Sequence, residues 1–250
     1  MQLSSLVYYR NQDEAIAPRS IPNYVLSNPP LRSLPGVICS TSNIFEYILD
    51  LARRVTLKKG EIIYPDNEGQ IPLCYLKKGK ICSYNLDEEG NIFITHFLFY
   101  GVLVYDAFFL TSGQYKAMPI KVLEDSELYS FPADLAFEDL LTIHTGLVKN
   151  LLYSQSIKDL LYSKLFRINM KVKPLNRICS YLYEMYERYQ EMSFCPNITQ
   201  AEMALLLNMH TVTVSNVIKQ LKEKNVLEIF TKKQIIIKDV EKLRHYRFYN

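Results

Sequence analysis

The side chains best suited to chemistry in this 250-residue chain lie between Thr199 and Lys233. Val212, Ser215, Asn216 and Lys219 recur at helical spacing, and together they can read the edges of DNA bases. Asn pairs bidentately with adenine, Val offers a methyl surface to thymine, and Ser bonds to several bases. No Arg or Glu stands among them. Arg is the usual guanine reader, so this face predicts an A·T-rich site, with Lys219 a partial substitute. Lys222, Lys224, Lys232 and Lys233 are placed to touch phosphates or to be solvated, and His210 to touch phosphate or to pack in a turn.

Elements that would position this face can be read on either side of it. Thr199 and Glu202 form a T-x-x-E capping box, so a helix should begin at Thr199. Met203, Leu206 and Leu207 supply its apolar side. Asn208-Met209-His210 reads as a turn, because Asn tolerates the left-handed conformation. A second helix follows, burying Val214, Val217, Ile218 and Leu221 at i, i+3, i+4, i+7. Leu227–Phe230 and Gln234–Lys238, turning at Thr231-Lys232-Lys233, read as two strands of a basic wing. Two short helices and a three-residue turn make a helix-turn-helix; the alternative is a small helical hairpin with no nucleic acid.

Lys158 is the second residue of chemical interest. From about Ala133 to Asn169 the pattern is helical, and Leu147, Leu151, Ser154, Lys158, Leu161, Leu165 and Ile168 follow the alternating fours and threes of a coiled coil. At ~1.5 Å per residue this helix would exceed roughly 45 Å. Such a stripe predicts pairing with a second copy. The alternative is an amphipathic helix packed within one subunit, its seam redrawn through Ile157 and Leu160. On a dimer seam a charged Lys158 costs stability unless paired. It either sets register or snorkels outward, or it meets an anionic effector. In the latter case Lys158→Met should abolish the response and leave folding intact. Lys173-Pro174 breaks the helix, and Pro174 then suits the first turn of the next one, to about Gln190.

Charge and composition agree with this division. Residues 1–169 carry 16 Lys+Arg against 18 Asp+Glu, a net of −2, while residues 170–250 carry 13 against 8, a net of +5. A basic C-terminal third suits phosphate binding. Residues 1–40 hold five of the eleven prolines and read as an extended arm. Asn43–Val55 has helical spacing. Thr56 to about Pro132 shows short apolar runs punctuated by glycines, the rhythm of an antiparallel sandwich or roll, with LDEEGN at 86–91 a hairpin signal. The most apolar run, His96 to Asp106, is about half the ~20 residues of a membrane span. No secretory signal is visible, so the expectation is a cytoplasmic protein without membrane contact. The five cysteines form no C-x2-C pair, which argues against zinc ribbons and iron–sulfur clusters; a thiol switch joining Cys179 and Cys195 stays open. No Gly-rich phosphate loop, H-E-x-x-H or G-x-S-x-G occurs and the four His are scattered, so no enzyme and no cofactor is expected.

Taken together, KKGEIIYPDNEG at 58–69, LKKGKICSYNLDEEGN at 76–91, the long helix and TQAEMALLLNMHTVTVSNVIKQLKEKNVL at 199–227 resemble the bacterial cyclic-AMP receptor protein/fumarate–nitrate regulator (CRP/FNR) superfamily over roughly residues 44–243. The resemblance implies an α+β fold: an antiparallel β-roll of the cupin-like, cyclic-nucleotide-binding type, a long dimerisation helix, and a C-terminal winged helix-turn-helix. The corresponding boundaries are 1–42 for the arm, 43–134 for the roll, 135–171 for the helix and 172–250 for the DNA-binding domain. It implies a homodimer on double-stranded DNA, contact with RNA polymerase, and a small-molecule effector in the roll. By the same resemblance Thr211, Val212, Ser215 and Asn216 take recognition-helix positions, with Thr199, Thr213, Lys219 and Lys232 completing the DNA-contacting set. The sensor departs from the family. Where cyclic-nucleotide binders carry G-E-[LI] and Arg-Ser/Thr-Ala, this chain has Tyr105-Asp106-Ala107 and Lys116-Ala117-Met118. A tyrosine ring replaces the glycine needed for close approach, so cyclic AMP is not the expected ligand. An internal Lys on the long helix is also shared with halophenol-sensing regulators of reductive dehalogenation. That likeness implies an anionic aromatic effector at Tyr105, Asp106, Lys116 and Lys158. Two alternatives stay open: a roll that binds ligand without DNA binding, and a DNA-binding regulator that needs no effector.

Overall fold

A computed structural model describes residues 6–11, 16–22, 33–64, 71–86, 92–111 and 117–248. Lys116 and the 87–91 part of the hairpin signal lie outside them. The chain divides into two compact units, one from 1–33 and 37–160, the other from 34–36 and 161–250.

The first unit is a seven-stranded sheet. Its strands are β1 (Val37–Ile38), β2 (Arg53–Leu57), β3 (Ile62–Ile63), β4 (Cys74–Leu86), β5 (Ile92–Leu98), β6 (Val102–Val104) and β7 (Ile120–Ser130). The order is β1-β5-β4-β7-β2, with β3 on β7 and β6 on β4. All pairings are antiparallel except β1 with β5, which is parallel, so the expected antiparallel roll carries one parallel edge. A two-residue strand entering from the arm has its direction set by the preceding chain rather than by a hairpin. In β4, Gly79 has φ 102, and a Cβ there would lie 2.6 Å from the Cα of Ser126. Only glycine lets β4 pass β7 at this point, where the register shifts.

The helical expectation over 43–55 holds for only part of the segment. Asn43–Leu51 is a 3-10 helix, and Arg53–Leu57 is strand β2. Ile44, Phe45 and Ile48 are buried, and Phe45 meets Phe131 edge-on at 6.0 Å. Tyr75, Leu103, Leu147 and Leu151 complete the core of this unit. The arm is tied down where it is described: Ser130 Oγ donates to the Leu6 carbonyl at 2.7 Å and the Ala133 amide to the Tyr8 carbonyl at 2.7 Å. α1 (Asp106–Leu110) follows β6.

After the sheet the chain forms α2 (Phe137–Ile143) and α3 (Thr145–Asn169). The single long helix expected from about 133 is therefore interrupted at His144, which is extended (φ −171, ψ 126). Its Nδ1 accepts from the Gly146 amide at 3.0 Å, serving the start of α3 as a local cap. α3 is about 37 Å long at ~1.5 Å per residue, shorter than expected.

The second unit contains α4 (Pro174–Tyr189), β8 (Ser193–Phe194), α5 (Gln200–Leu206), α6 (Thr211–Glu223), β9 (Leu227–Phe230), β10 (Ile235–Ile237) and α7 (Val240–His245). The three strands pair in the order β8-β10-β9, all antiparallel. α4 begins with Pro174 in its first turn, as its sequence predicts. Ile178, Tyr181, Leu182 and Met185 from α4 are buried, as are Val214, Ile218 and Leu221 from α6. No helix among the described residues is long and apolar enough to cross a membrane.

Candidate nucleic-acid interface and sensor site

In the second unit, the local code of the sequence produces the geometry directly. Thr199 Oγ1 accepts from the Glu202 amide at 3.1 Å, and Glu202 Oε2 accepts from the Thr199 amide at 2.9 Å. The capping box starts α5, and it uses an acceptor lone pair of the Thr199 hydroxyl while leaving the O–H as a donor. Asn208 takes φ 50 in the turn, where an asparagine is tolerated. Arg177 braces this turn from α4, donating to the Leu207 carbonyl at 2.8 Å and the Lys171 carbonyl at 2.8 Å. Sequence reasoning missed Arg177, because nothing local links it to a turn thirty residues away.

α6 then buries Val214, Val217, Ile218 and Leu221 and exposes Thr211, Val212, Ser215, Asn216 and Lys219, with Thr213 half-buried. Val212 is 70% exposed, an arrangement that costs apolar hydration unless something covers it. His210, at the N-cap, makes no side-chain cap hydrogen bond, so the first amides of α6 keep their donors for an incoming anion. Lys219 Nζ sits 4.0 Å from Glu223 Oε1 in a solvent-exposed pair, too weak to hold it away from a base or phosphate. Lys232 is exposed in the wing turn, where Thr231 and Gln234 close the loop.

Within the first unit, three of the four proposed effector residues are described. Lys158 Nζ donates to Asp106 Oδ1 at 2.7 Å, Asp106 Oδ2 at 2.6 Å and the Leu103 carbonyl at 2.8 Å. The two side chains are 9% and 5% exposed, so this is a buried ion pair. Breaking one partner of such a pair costs about 3–5 kcal/mol. Tyr105, next in sequence, has φ 64, ψ 19, a left-handed conformation that costs a non-glycine residue about 1–3 kcal/mol. Its hydroxyl is buried and makes no hydrogen bond, and burial pushes its phenol well above the usual range. His96 on β5 is held down at about 4, first by burial and then by the Lys158 charge, so it is neutral near pH 7.

The seam expected to join two copies is not a surface at all. Leu147, Leu151, Ser154, Lys158, Leu161, Leu165 and Ile168 are all at most 8% exposed within the single chain. Their polar members are satisfied internally: Ser154 Oγ lies 3.0 Å from Thr41 Oγ1, on the same helix face as the Lys158 pair. The four-three pattern was read correctly as one apolar face, but that face packs inside its own subunit. The redrawn seam fails too, since Leu160 is exposed and Ile157 half-buried.

Among the described residues no three His, Cys, Asp or Glu side chains gather to hold a metal ion. Cys179 is buried, its thiol pushed up to about 12 by that burial, and it forms no disulfide with the exposed Cys195.

A C-terminal winged helix-turn-helix that turns a polar face outward, with no side-chain cap at the start of α6, defines a DNA-binding module. Residues 176–246 match the Crp-like helix-turn-helix domain family. The chain is 24% identical over 209 residues to the fumarate and nitrate reduction regulatory protein of Yersinia pestis, covering 77% of this chain and 80% of that one. Its fold is similar to a CooA variant from Carboxydothermus hydrogenoformans, with TM-score 0.68, 16% identity, and 84% and 99% of the two chains covered. It is similar also to CprK complexed with OCPA, with TM-score 0.66, 16% identity, and 84% and 97% covered. Residues 176–246 thus carry a Crp-like, DNA-binding helix-turn-helix, and the chain is similar in sequence and fold to CRP/FNR-type transcription regulators.

Proposed function

We propose that this regulator binds an A·T-rich inverted repeat as a homodimer, under control of a small anionic effector in the roll. The observation that carries the DNA reading is the outward face of α6, where Val212, Ser215 and Asn216 stand clear and no Arg is present. Half-sites should lie about one helical turn apart. Gel shifts comparing A·T-rich with G-rich half-sites test this, and preference for the G-rich set overturns it. Thr199, Thr211, Thr213 and Lys232 serve the backbone and rim of the same interface.

Dimerisation is supported by the face of α3 opposite the buried stripe. Leu152, Ser156, Asp159, Ser163, Phe166 and Met170 again step by four and three, and Leu152, Phe166 and Met170 are 51%, 57% and 68% exposed. Large apolar and small residues, with Asp159 the one charge among them, suit close helix pairing with a second copy. Sedimentation of Phe166→Glu tests it: a monomer is expected, an unchanged mass refutes it.

The effector reading rests on Lys158, a buried ammonium on α3 paired with Asp106 of the roll, and gains support from the likeness to CprK, whose solved complex holds OCPA. Cyclic AMP is disfavoured by the Tyr105 ring. A second reading, regulation without an effector, is favoured by one observation: Asp106 and Leu103 already fill the acceptor positions around Lys158. DNA affinity with and without small molecules from cell extract separates the two.

A further inference from the structure

The acceptor positions around Lys158 are occupied by the protein itself. Asp106 contributes both carboxylate oxygens, at 2.7 and 2.6 Å, the geometry in which a ligand carboxylate or phenolate would approach an ammonium group. We propose that Asp106 is a built-in competitor: its carboxylate stands where the effector anion binds, and a ligand acts by taking Lys158 from it. This rests on the reading of Lys158 as the effector residue.

Two features make Asp106 the partner that yields. It opens α1, a helix of five residues, while Lys158 sits in the middle of the 25-residue α3. The backbone immediately before it is already strained, with Tyr105 at φ 64. Displacing Asp106 lets that residue relax and carries its buried, unpartnered hydroxyl into reach of either the ligand or the freed carboxylate. The exchange conserves charge in the roll, because one anion leaves Lys158 as another arrives. A neutral ligand gains nothing from it. Selection for anions therefore follows from Asp106 as much as from Lys158.

Binding of benzoate and of 4-nitrophenolate to the full-length protein, by calorimetry and by the phenolate absorbance shift, tests the idea. Asp106→Asn removes the competitor and keeps the shape, so it should bind the probes about tenfold or more tighter than the wild type. Asp106→Ser provides the same test with space added. Asp106→Asn/Lys158→Met should lose the gain. Failure of both Asp106 variants to bind more tightly than wild type, or to bind at all, overturns the competitor, as does loss of folding in both. If the double variant binds as tightly as Asp106→Asn, the assignment of Lys158 as the anion's partner fails instead.

Discussion

On α6 the polar side chains of Ser215, Asn216 and Lys219 face solvent, whereas in the roll Asp106 and Lys158 face each other at 5% and 9% exposure. Both regions place polar groups where they will do work, but they hold them at opposite energetic cost. An exposed asparagine forfeits nothing when nothing is bound, since water satisfies it. A buried ammonium must be matched at all times, because desolvation is offset only by a partner in good geometry. A recognition surface can therefore wait empty, while a buried sensor must carry an occupant of its own. Mutations in the two regions should accordingly separate stability from binding.

The largest effect belongs to the roll. Lys158→Met leaves the Asp106 carboxylate buried and alone, and should destabilise the protein by about 3–5 kcal/mol in a denaturant melt. Adding Asp106→Asn should restore most of it, a coupling that a double-mutant cycle reads directly. A loss under about 1 kcal/mol would erase the contrast between the regions. This corrects the sequence expectation that Lys158→Met spares folding, which held only for a lysine at a subunit boundary. On α6 the pattern should invert. Asn216→Ala should weaken DNA binding by about 1–3 kcal/mol, yet shift stability by no more than about 0.5 kcal/mol; a matching fall in melting temperature would make Asn216 structural.

Acid should also tell the regions apart. His96 is held at about 4 against an ordinary 6.5. Below 6.5 the unfolded chain takes up a proton that the folded roll refuses until about 4, so stability falls as pH drops through that window. The loss is at most about 3 kcal/mol, and less with solvent screening of a half-buried ring. Melts of the wild type and His96→Gln between those limits measure it; parallel curves would remove His96 from the account. The smallest effect is at the cap. Thr199→Ala should cost about 1 kcal/mol of stability and weaken DNA binding by about 1 kcal/mol through one lost phosphate hydrogen bond. Lys232→Ala should instead lower the salt slope of binding by about one unit.

How much was legible in advance tracks the range of the interactions. The capping box at Thr199 and Glu202, the left-handed Asn208, the buried i, i+3, i+4, i+7 set of α6 and the wing strands are all contacts between near neighbours. Arg177 on the Leu207 carbonyl and Thr41 against Ser154 join residues 30 and 113 apart, and no local pattern announces them. The stripe on α3 lies between these cases. Its period reveals an apolar face, but periodicity cannot name the partner, because a core and a second subunit are equally dry.

What the amino-acid order determined unaided was therefore which segments coil, where they start and stop, and which side of each is apolar, since propensity, capping and period act within one or two turns. Only the tertiary structure decided what each apolar side meets. It put Lys158 beside Asp106, fifty-two residues earlier, and left Leu152, Phe166 and Met170 uncovered. Burial of charge depends on which distant strands and helices close over it, and that is a property of the packed chain.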